Sequence, residues 1–437
     1  MTLWEIPLGV MLAYLFCLGA VVGSFLNVCI YRIPRHETVI GALRALTFPP
    51  SSCPHCARRI RPRDNIPILG WMLIGGRCRF CRNPVSIRYP AIELLNGLLV
   101  AGLYWAIVPG GYQSTAADSC LWTATGPLAR VTLSHSQQVW LLHAQYVYYF
   151  FLVEALLVAT FIDFDLKIIP DGVTVPAMFV GFLGPLIVGR LELTPVWATM
   201  PAVQEILQFV LPESLAGVAA GPPVPAWIDQ YPRLHGLSVS VAGFLVGGGA
   251  VWLVRAVGQW ILRREAMGFG DVILLAMIGS FMGWQAAILV FFLAPVFALL
   301  VVAGLFLYRL LVRPQSRQEQ EIPYGPYLSL AALVLLFDWR NVWPAMQPLF
   351  SLGPLLPMVA VLLIVLLIAS LLIVQGLKWS LGIPLFPEPE FGEWTSADQL
   401  QFFSGYDRHE RTMPLRSTSW PGEQTGRGSA GYNAWRR

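Results

Sequence analysis

The chain has 437 residues, 56% of them hydrophobic and 12% charged, with a formal net charge of +4 and a mean hydropathy of +0.61. These values exclude an ordinary soluble globular chain and describe a polytopic membrane protein embedded in a lipid bilayer. The small positive charge requires no nucleic-acid partner, because the placement of the arginines accounts for it.

Apolar runs long enough to cross about 30 Å of hydrocarbon are expected near residues 5–30, 90–108, 145–162, 173–189, 237–262, 272–287, 288–308, 328–345 and 354–376. This predicts an all-α fold of about eight or nine transmembrane helices. The first run lacks a basic leading segment and is too long for a cleavable signal peptide, so it reads as a retained anchor. Arginine and lysine collect in cytoplasmic segments. Residues 32–89 carry eleven arginines, Arg32, Arg35, Arg44, Arg58, Arg59, Arg61, Arg63, Arg77, Arg79, Arg82 and Arg88, against Glu37 and Asp64, whereas 109–144 has Arg130 alone. The expected topology places the N-terminus outside and 32–89 inside. Lys167, then Arg263 and Arg264, then Arg309, Arg313 and Arg317 fall inside as well.

The expected organisation is a first transmembrane helix (1–31), a small cytoplasmic zinc-ribbon-like domain (32–89), a membrane core (90–345), an additional helix (346–377) and a polar cytoplasmic tail (378–437) of disordered composition. Within the core, 190–236 is rich in Pro and Gly and reads as an extracytoplasmic insertion.

Four of the seven cysteines form "CPHC" (Cys53, Cys56) and "CRFC" (Cys78, Cys81). Each two-residue spacing lets a tight turn aim both thiolates at one ion, and two such turns complete a tetrahedral zinc site. A dithiol redox pair is the alternative, but such motifs generally use one CxxC. Cys17 and Cys29 belong to the first apolar run and read as packing residues; Cys120 stands alone outside.

Carboxylates at membrane depth are costly and need a reason. In "FIDFDLKIIPD" (161–171), Asp163 and Asp165 would point about 200° apart on a continuing helix, so one can face the interior. Asp163, nearer the apolar run, is the inward candidate; Asp165 beside Lys167 reads as exposed and charge-balanced. Asp171, between Pro170 and Gly172, reads as a helix N-cap. Far along the chain, "GFGD" (268–271) opens another apolar run on the same side, with Gly268 and Gly270 removing side chains ahead of Asp271 so that the backbone can approach a neighbour. Asp163 and Asp271 at one depth suggest two carboxylates sharing a proton, one a base toward water and the other an acid toward the carbonyl and leaving amine.

With these residues in view, the chain resembles the prepilin leader peptidase/N-methyltransferases, which are GxGD-type intramembrane aspartic proteases. The resemblance rests on "GSFLNVCIYRIP" (23–34), the double CxxC with "DNIPILGW" (64–71), "SIRYPAIELLNG" (86–97), "DFDLKIIPD" (163–171), "GFGD" (268–271) and "IPYGPYLSLA" (322–331). It implies cleavage of the cytoplasmic leader of type IV prepilins or type II secretion pseudopilins at the inner membrane. S-adenosylmethionine-dependent methylation of the new N-terminus follows. It also implies Asp163 and Asp271 as the catalytic pair, with Gly268, Gly270 and Asp171 in support, and it associates the zinc-ribbon segment with methyl transfer. No glycine-rich loop marks the methyl-donor site. Relatives often carry a Lys two residues after the GxGD aspartate, where this chain has Ile273; the 190–236 insertion and the last helix and tail extend beyond the usual core. Two other readings remain: an inactive scaffold of a pilus or secretion machine, and a transporter relaying protons through its carboxylates.

Overall fold

The computed structural model describes residues 6–36, 38–47, 50–53, 55–114, 135–196, 201–210, 212, 225, 227–262, 267–312 and 323–381. Cys120, Arg263, Arg264, Arg313, Arg317 and all but the first few residues of the tail lie outside them. Thirteen helices follow in chain order among the described residues: α1 (Leu8–Arg32), α2 (Val39–Thr47), α3 (Leu69–Leu73), α4 (Arg88–Ser114), α5 (His135–Leu166), α6 (Asp171–Val188), α7 (Pro201–Val210), α8 (Trp227–Gln230), α9 (Pro232–Leu262), α10 (Phe269–Met282), α11 (Trp284–Val312), α12 (Gly325–Phe350) and α13 (Leu356–Ser380).

Seven of them, α1, α4, α5, α6, α9, α11 and α13, are long and apolar enough to cross a membrane. The other two expected spans differ for physical reasons. α10 has 14 residues and ends at Gly283, whose φ of +85° stops the helix. The break between the runs expected at 272–287 and 288–308 therefore falls four residues earlier than hydropathy alone placed it. α12 joins two helical segments across a kink at Asp338, where φ is −110° and ψ is 15°.

Backbones approach closely where glycines remove the intervening side chains. A Cβ on Gly243 of α9 would collide with the Gly279 carbonyl of α10, and one on Gly279 with the Gly243 carbonyl. Four residues on, a Cβ at Gly247 would lie 2.6 Å from the Leu275 carbonyl oxygen. This is the small-residue packing that associates helices in lipid, where no hydrophobic force separates helix from solvent. α1 and α4 meet in the same way, since a Cβ on Gly19 would lie 2.8 Å from Val100 Cβ and one on Gly23 2.8 Å from Glu93 Cα.

Polar groups inside the bundle bridge its helices. The Tyr148 hydroxyl of α5 donates to the Gly181 carbonyl of α6 at 2.9 Å, and Ser240 of α9 donates to the same oxygen at 3.0 Å. The Asn96 amide of α4 donates to the Gly19 carbonyl (2.9 Å) and to Glu154 Oε1 of α5 (3.1 Å). Glu154, unremarked in the sequence, thereby ties the first pair of helices to the rest.

The segment following α6 corrects the expected insertion. Leu191, Glu192, Leu193 and Thr194 are buried, and the chain is pinned by Tyr149 Oη donating to the Leu191 carbonyl (2.9 Å) and Gln285 Nε2 to that of Pro195 (2.8 Å). His235 then takes a defined tautomer. Its Nε2 accepts from the Val196 amide at 3.2 Å, so Nδ1 donates to Glu192 Oε1 at 2.9 Å. Residues 191–195 are therefore part of the core, closing the end of the bundle opposite Asp163.

Candidate active site and metal centre

The two cysteine turns are built alike. In the first, the Cys53 amide donates to Arg58 O and the Ala57 amide to Cys53 O, each at 2.9 Å; in the second, Cys78 N donates to Asn83 O at 2.8 Å and Arg82 N to Cys78 O at 2.9 Å. An antiparallel bridge closes each turn, Ser52 with Arg59 and Arg77 with Pro84. The residue after the second cysteine is left-handed in both, with φ of +56° at Ala57 and +59° at Arg82. All four sulfur atoms lie within 4.8 Å of one another, and Cys53 Sγ is 3.8 Å from Cys81 Sγ. A tetrahedral ion bound at about 2.3 Å to each sulfur would set them roughly 3.8 Å apart, so the donor set fits one metal ion. Burial opposes ionisation of Cys78, but the amides of Cys81 and Phe80 outweigh it and bring that thiol down to about 7, while burial pushes Cys53 up to about 12.

The turns are braced from outside. Asp64 accepts from Arg79 Nε at 2.8 Å and from its terminal nitrogen at 2.6 Å, a two-pronged pair that holds the carboxyl below the usual range. Trp71 Nε1 donates to the Val85 carbonyl at 2.9 Å.

At the same end of the bundle, Asp163 near the C-terminus of α5 and Asp271 in the first turn of α10 are both buried, and the charge of one acts on the other. The residues around them come from three chain segments. Gly325 opens α12 with its amide toward the Asp163 carboxylate. A Cβ there would stand 2.5 Å from Asp163 Oδ2 and 3.1 Å from Ile169 Cδ1. On the other side, a Cβ on Gly270 would stand 3.2 Å from Ile169 Cβ. Ile169 is thus the spacer against which both glycines pack. Lys167 lies within electrostatic reach of Asp163, and Tyr324 within reach of Asp271. Asp163 Oδ2 is buried against Gly325 and makes no hydrogen bond of ordinary geometry among the described residues. A Cβ on Gly268 would stand 3.8 Å from Asp271 Oδ2, an ordinary contact.

Two expectations about neighbouring aspartates are corrected. Asp165 is not a solvated residue. Its side chain is 8% exposed and accepts from Arg88 at 2.6 Å, a partner 77 residues upstream whose guanidinium also donates to the Phe161 carbonyl at 3.3 Å. Asp171 is not the N-cap of α6. Pro170 holds that position with extended φ and ψ, and Asp171 stands exposed in the first turn, where a negative charge suits the helix dipole. Tyr324, Gly325 and Ile169 were not singled out in the sequence, although Tyr324 and Gly325 lie inside "IPYGPYLSLA".

Fold and sites together define a multi-pass membrane protein that joins a buried aspartate pair to a four-cysteine domain through the Arg88–Asp165 contact. Residues 17–107 match the family model described as the bacterial peptidase A24 N-terminal domain, and residues 150–303 match the type IV leader peptidase family. The chain is 30% identical over 342 residues to the prepilin leader peptidase/N-methyltransferase of Aeromonas hydrophila, covering 74% of this chain and 89% of the relative. It is 31% identical over 353 residues to that of Dickeya chrysanthemi, with coverage of 76% and 95%. It is 29% identical over 332 residues to an Escherichia coli type 4 prepilin-like proteins leader peptide-processing enzyme, with coverage of 73% and 91%. No solved structure matches. The chain belongs to the type IV leader peptidase family.

Proposed function

We propose that this protein is an inner-membrane enzyme that removes the leader of type IV prepilins or type II secretion pseudopilins and methylates the new N-terminus, with S-adenosylmethionine as methyl donor. The observation that carries the cleavage half is that Asp163 and Asp271 are both buried within electrostatic reach of one another. One carboxylate takes a proton from a water as its oxygen attacks the scissile carbonyl, while the other protonates the carbonyl oxygen. Collapse of the adduct breaks the C–N bond, and the proton held by the first passes to the leaving amine. Gly268, Gly270 and Gly325 admit backbone close to the pair, and Asp171, exposed in the first turn of α6, is assigned a supporting role.

Zinc held by Cys53, Cys56, Cys78 and Cys81 suits a short polar domain with little core of its own. The arginine-rich end, containing the cysteine domain and the aspartates, faces the cytoplasm by the charge bias. The test is co-expression with a candidate prepilin and intact-mass measurement of the product. The expected result is loss of the leader plus one methyl group. Asp163→Asn and Asp271→Asn each retain the full-length prepilin. Uncut substrate with the unaltered chain would favour the inactive-scaffold reading and sink this one.

A further inference from the structure

A cavity stands apart from the aspartate pair. It has a volume of about 580 Å³ and lies between the cysteine domain and the facing sides of α1 and α4. That is within the range of about 300–1,000 Å³ common for small-molecule sites. Its walls combine aromatic faces (Tyr31, Trp71, Tyr89), guanidinium groups and two carboxylates, Asp64 and Glu93, the latter where α4 begins. Among the described residues, Glu93 has neutral partners. Its Oε2 accepts from the Ile68 amide at 2.7 Å, and the Ser24 hydroxyl is its other hydrogen-bonding neighbour. Asp64, the other carboxylate in the walls, is already occupied by Arg79. An arginine-rich cavity thus keeps one negative group uncompensated by a cation.

The Ile68 amide is delivered to Glu93 by an uncommon backbone. Ile68 has φ +62° and ψ −57°, and the Leu69 amide reaches back to the Pro67 carbonyl at 2.6 Å. That is a three-residue turn of the rare hand, adopted here by a β-branched residue. Such conformations cost on the order of 1–3 kcal/mol and persist where surrounding structure enforces them, which is typical of ligand sites. From the other side, the close approach of Gly23 to Glu93 Cα fixes the backbone of the carboxylate.

We infer that this cavity is the methyl-transfer chamber, holding S-adenosylmethionine between the cysteine domain and α1/α4, with Glu93 as the carboxylate that faces the reacting cation. The inference rests on the methylation half of the proposed function. The donor supplies a methyl group on a positively charged sulfur; the aromatic faces suit an adenine and the guanidinium groups suit a carboxylate. The acceptor is an N-terminal amine released at the membrane boundary, and Glu93 lies within the first turns of a membrane helix. The amine must be the free base, so the proton it sheds goes to Glu93 and on to solvent. Its lone pair then forms the N–C bond while the C–S electron pair stays on sulfur, leaving a neutral thioether and a methylated ammonium. Two cations therefore pass Glu93, the sulfonium and the ammonium.

The test uses the full chain purified in detergent, with S-adenosylhomocysteine (neutral sulfur) and sinefungin (an amine in place of the sulfonium) as probes in titration calorimetry. Val28→Trp and Ser52→Trp each fill the cavity from a different wall and are expected to weaken S-adenosylhomocysteine binding at least tenfold, with melting temperature and bound metal as checks of folding. If the unaltered chain methylates a peptide with the mature N-terminus, and either filled variant is folded yet binds and methylates as before, the chamber lies elsewhere and the proposed function stands. If the unaltered chain cleaves but transfers no methyl group, the methylation reading itself fails, and the chamber with it. For Glu93→Gln, with Glu93→Asp as the variant if it does not fold, one of two results supports the role. Sinefungin binding weakens tenfold relative to S-adenosylhomocysteine, which assigns the carboxylate to the sulfonium, or KM for the amine peptide rises tenfold, which assigns it to the substrate. Neither change overturns the role given to Glu93.

Discussion

Replacing Gly325 by Ala separates alignment of the aspartates from stability of the fold. Gly325 begins α12 with an ordinary backbone conformation, so alanine fits the helix, where it is favoured over glycine by about 1 kcal/mol in helix interiors. Its methyl group, however, would stand 2.5 Å from Asp163 Oδ2, where ordinary contact begins at 3.4 Å. Ile169 Cδ1, at 3.1 Å, blocks retreat on one side. The carboxylate is the mobile partner and must shift by about 0.9 Å, and misplacement by about 1 Å at a reacting group can cost 10²-fold in rate. The expected outcome is a fall of about 10²-fold in kcat for leader cleavage, with a melting temperature equal to or above that of the unaltered protein. Turnover of a purified prepilin followed by gel shift, beside a melting curve in the same detergent, measures both. Cleavage within threefold of normal would refute the packing argument, and a loss accompanied by unfolding would show that Gly325 serves the helix and not the pair.

Three further outcomes follow from other contacts. Asp165→Asn is expected to leave cleavage within about threefold while lowering the melting temperature, because it breaks a half-buried ion pair worth on the order of 1–3 kcal/mol after allowance for exposure; dead enzyme with unchanged melting would place Asp165 in the chemistry. Gly243→Ala drives a methyl group into the Gly279 carbonyl and is expected to cost about 1–3 kcal/mol, read as a drop in melting temperature; an unchanged melt would mean that α9 and α10 do not touch there. Asp64→Asn should increase hydrogen exchange across residues 62–79 at pH 7. Arg79 lowers the Asp64 pKa, so its contribution is present above the unfolded value near 3.9 and disappears as pH falls through the lower folded value. The difference between variant and unaltered chain should therefore close in acid; a difference that persists at the lowest pH would locate the effect elsewhere.

Much of this was legible because lipid imposes long-period signals. Runs such as α11 and α13 declare themselves by length and apolarity, and two CxxC turns declare a ligand set by spacing. Local signals failed where a partner lies far away in sequence. Lys167 is two positions from Asp165 and visible as a neighbour, but Arg88 enters from another helix. Residues 191–195 sit in a stretch rich in turn formers, and nothing local indicates that Tyr149 and Gln285 will anchor their backbone. Pro170 takes the cap position expected of Asp171, its extended ψ of 142° leaving Asp171 as the first helical residue. The pairing of Asp163 with Asp271 could be suggested from equal depth, but Ile169 and Gly325 acquire meaning only when both glycines are seen to press on one side chain.

The bare crossing of α9 and α10 has a mechanical consequence. Contact through backbone at Gly243 and Gly279, repeated one turn closer to Asp271 between Gly247 and the Leu275 carbonyl, leaves no side chain between the two helices to take up a displacement. Asp271 is eight residues from Gly279, about 12 Å at 1.5 Å per residue, so a tilt of α10 against α9 by roughly 5° would carry the carboxylate about 1 Å, the scale on which reacting groups gain or lose alignment. The bare seam with α9 therefore fixes where Asp271 stands.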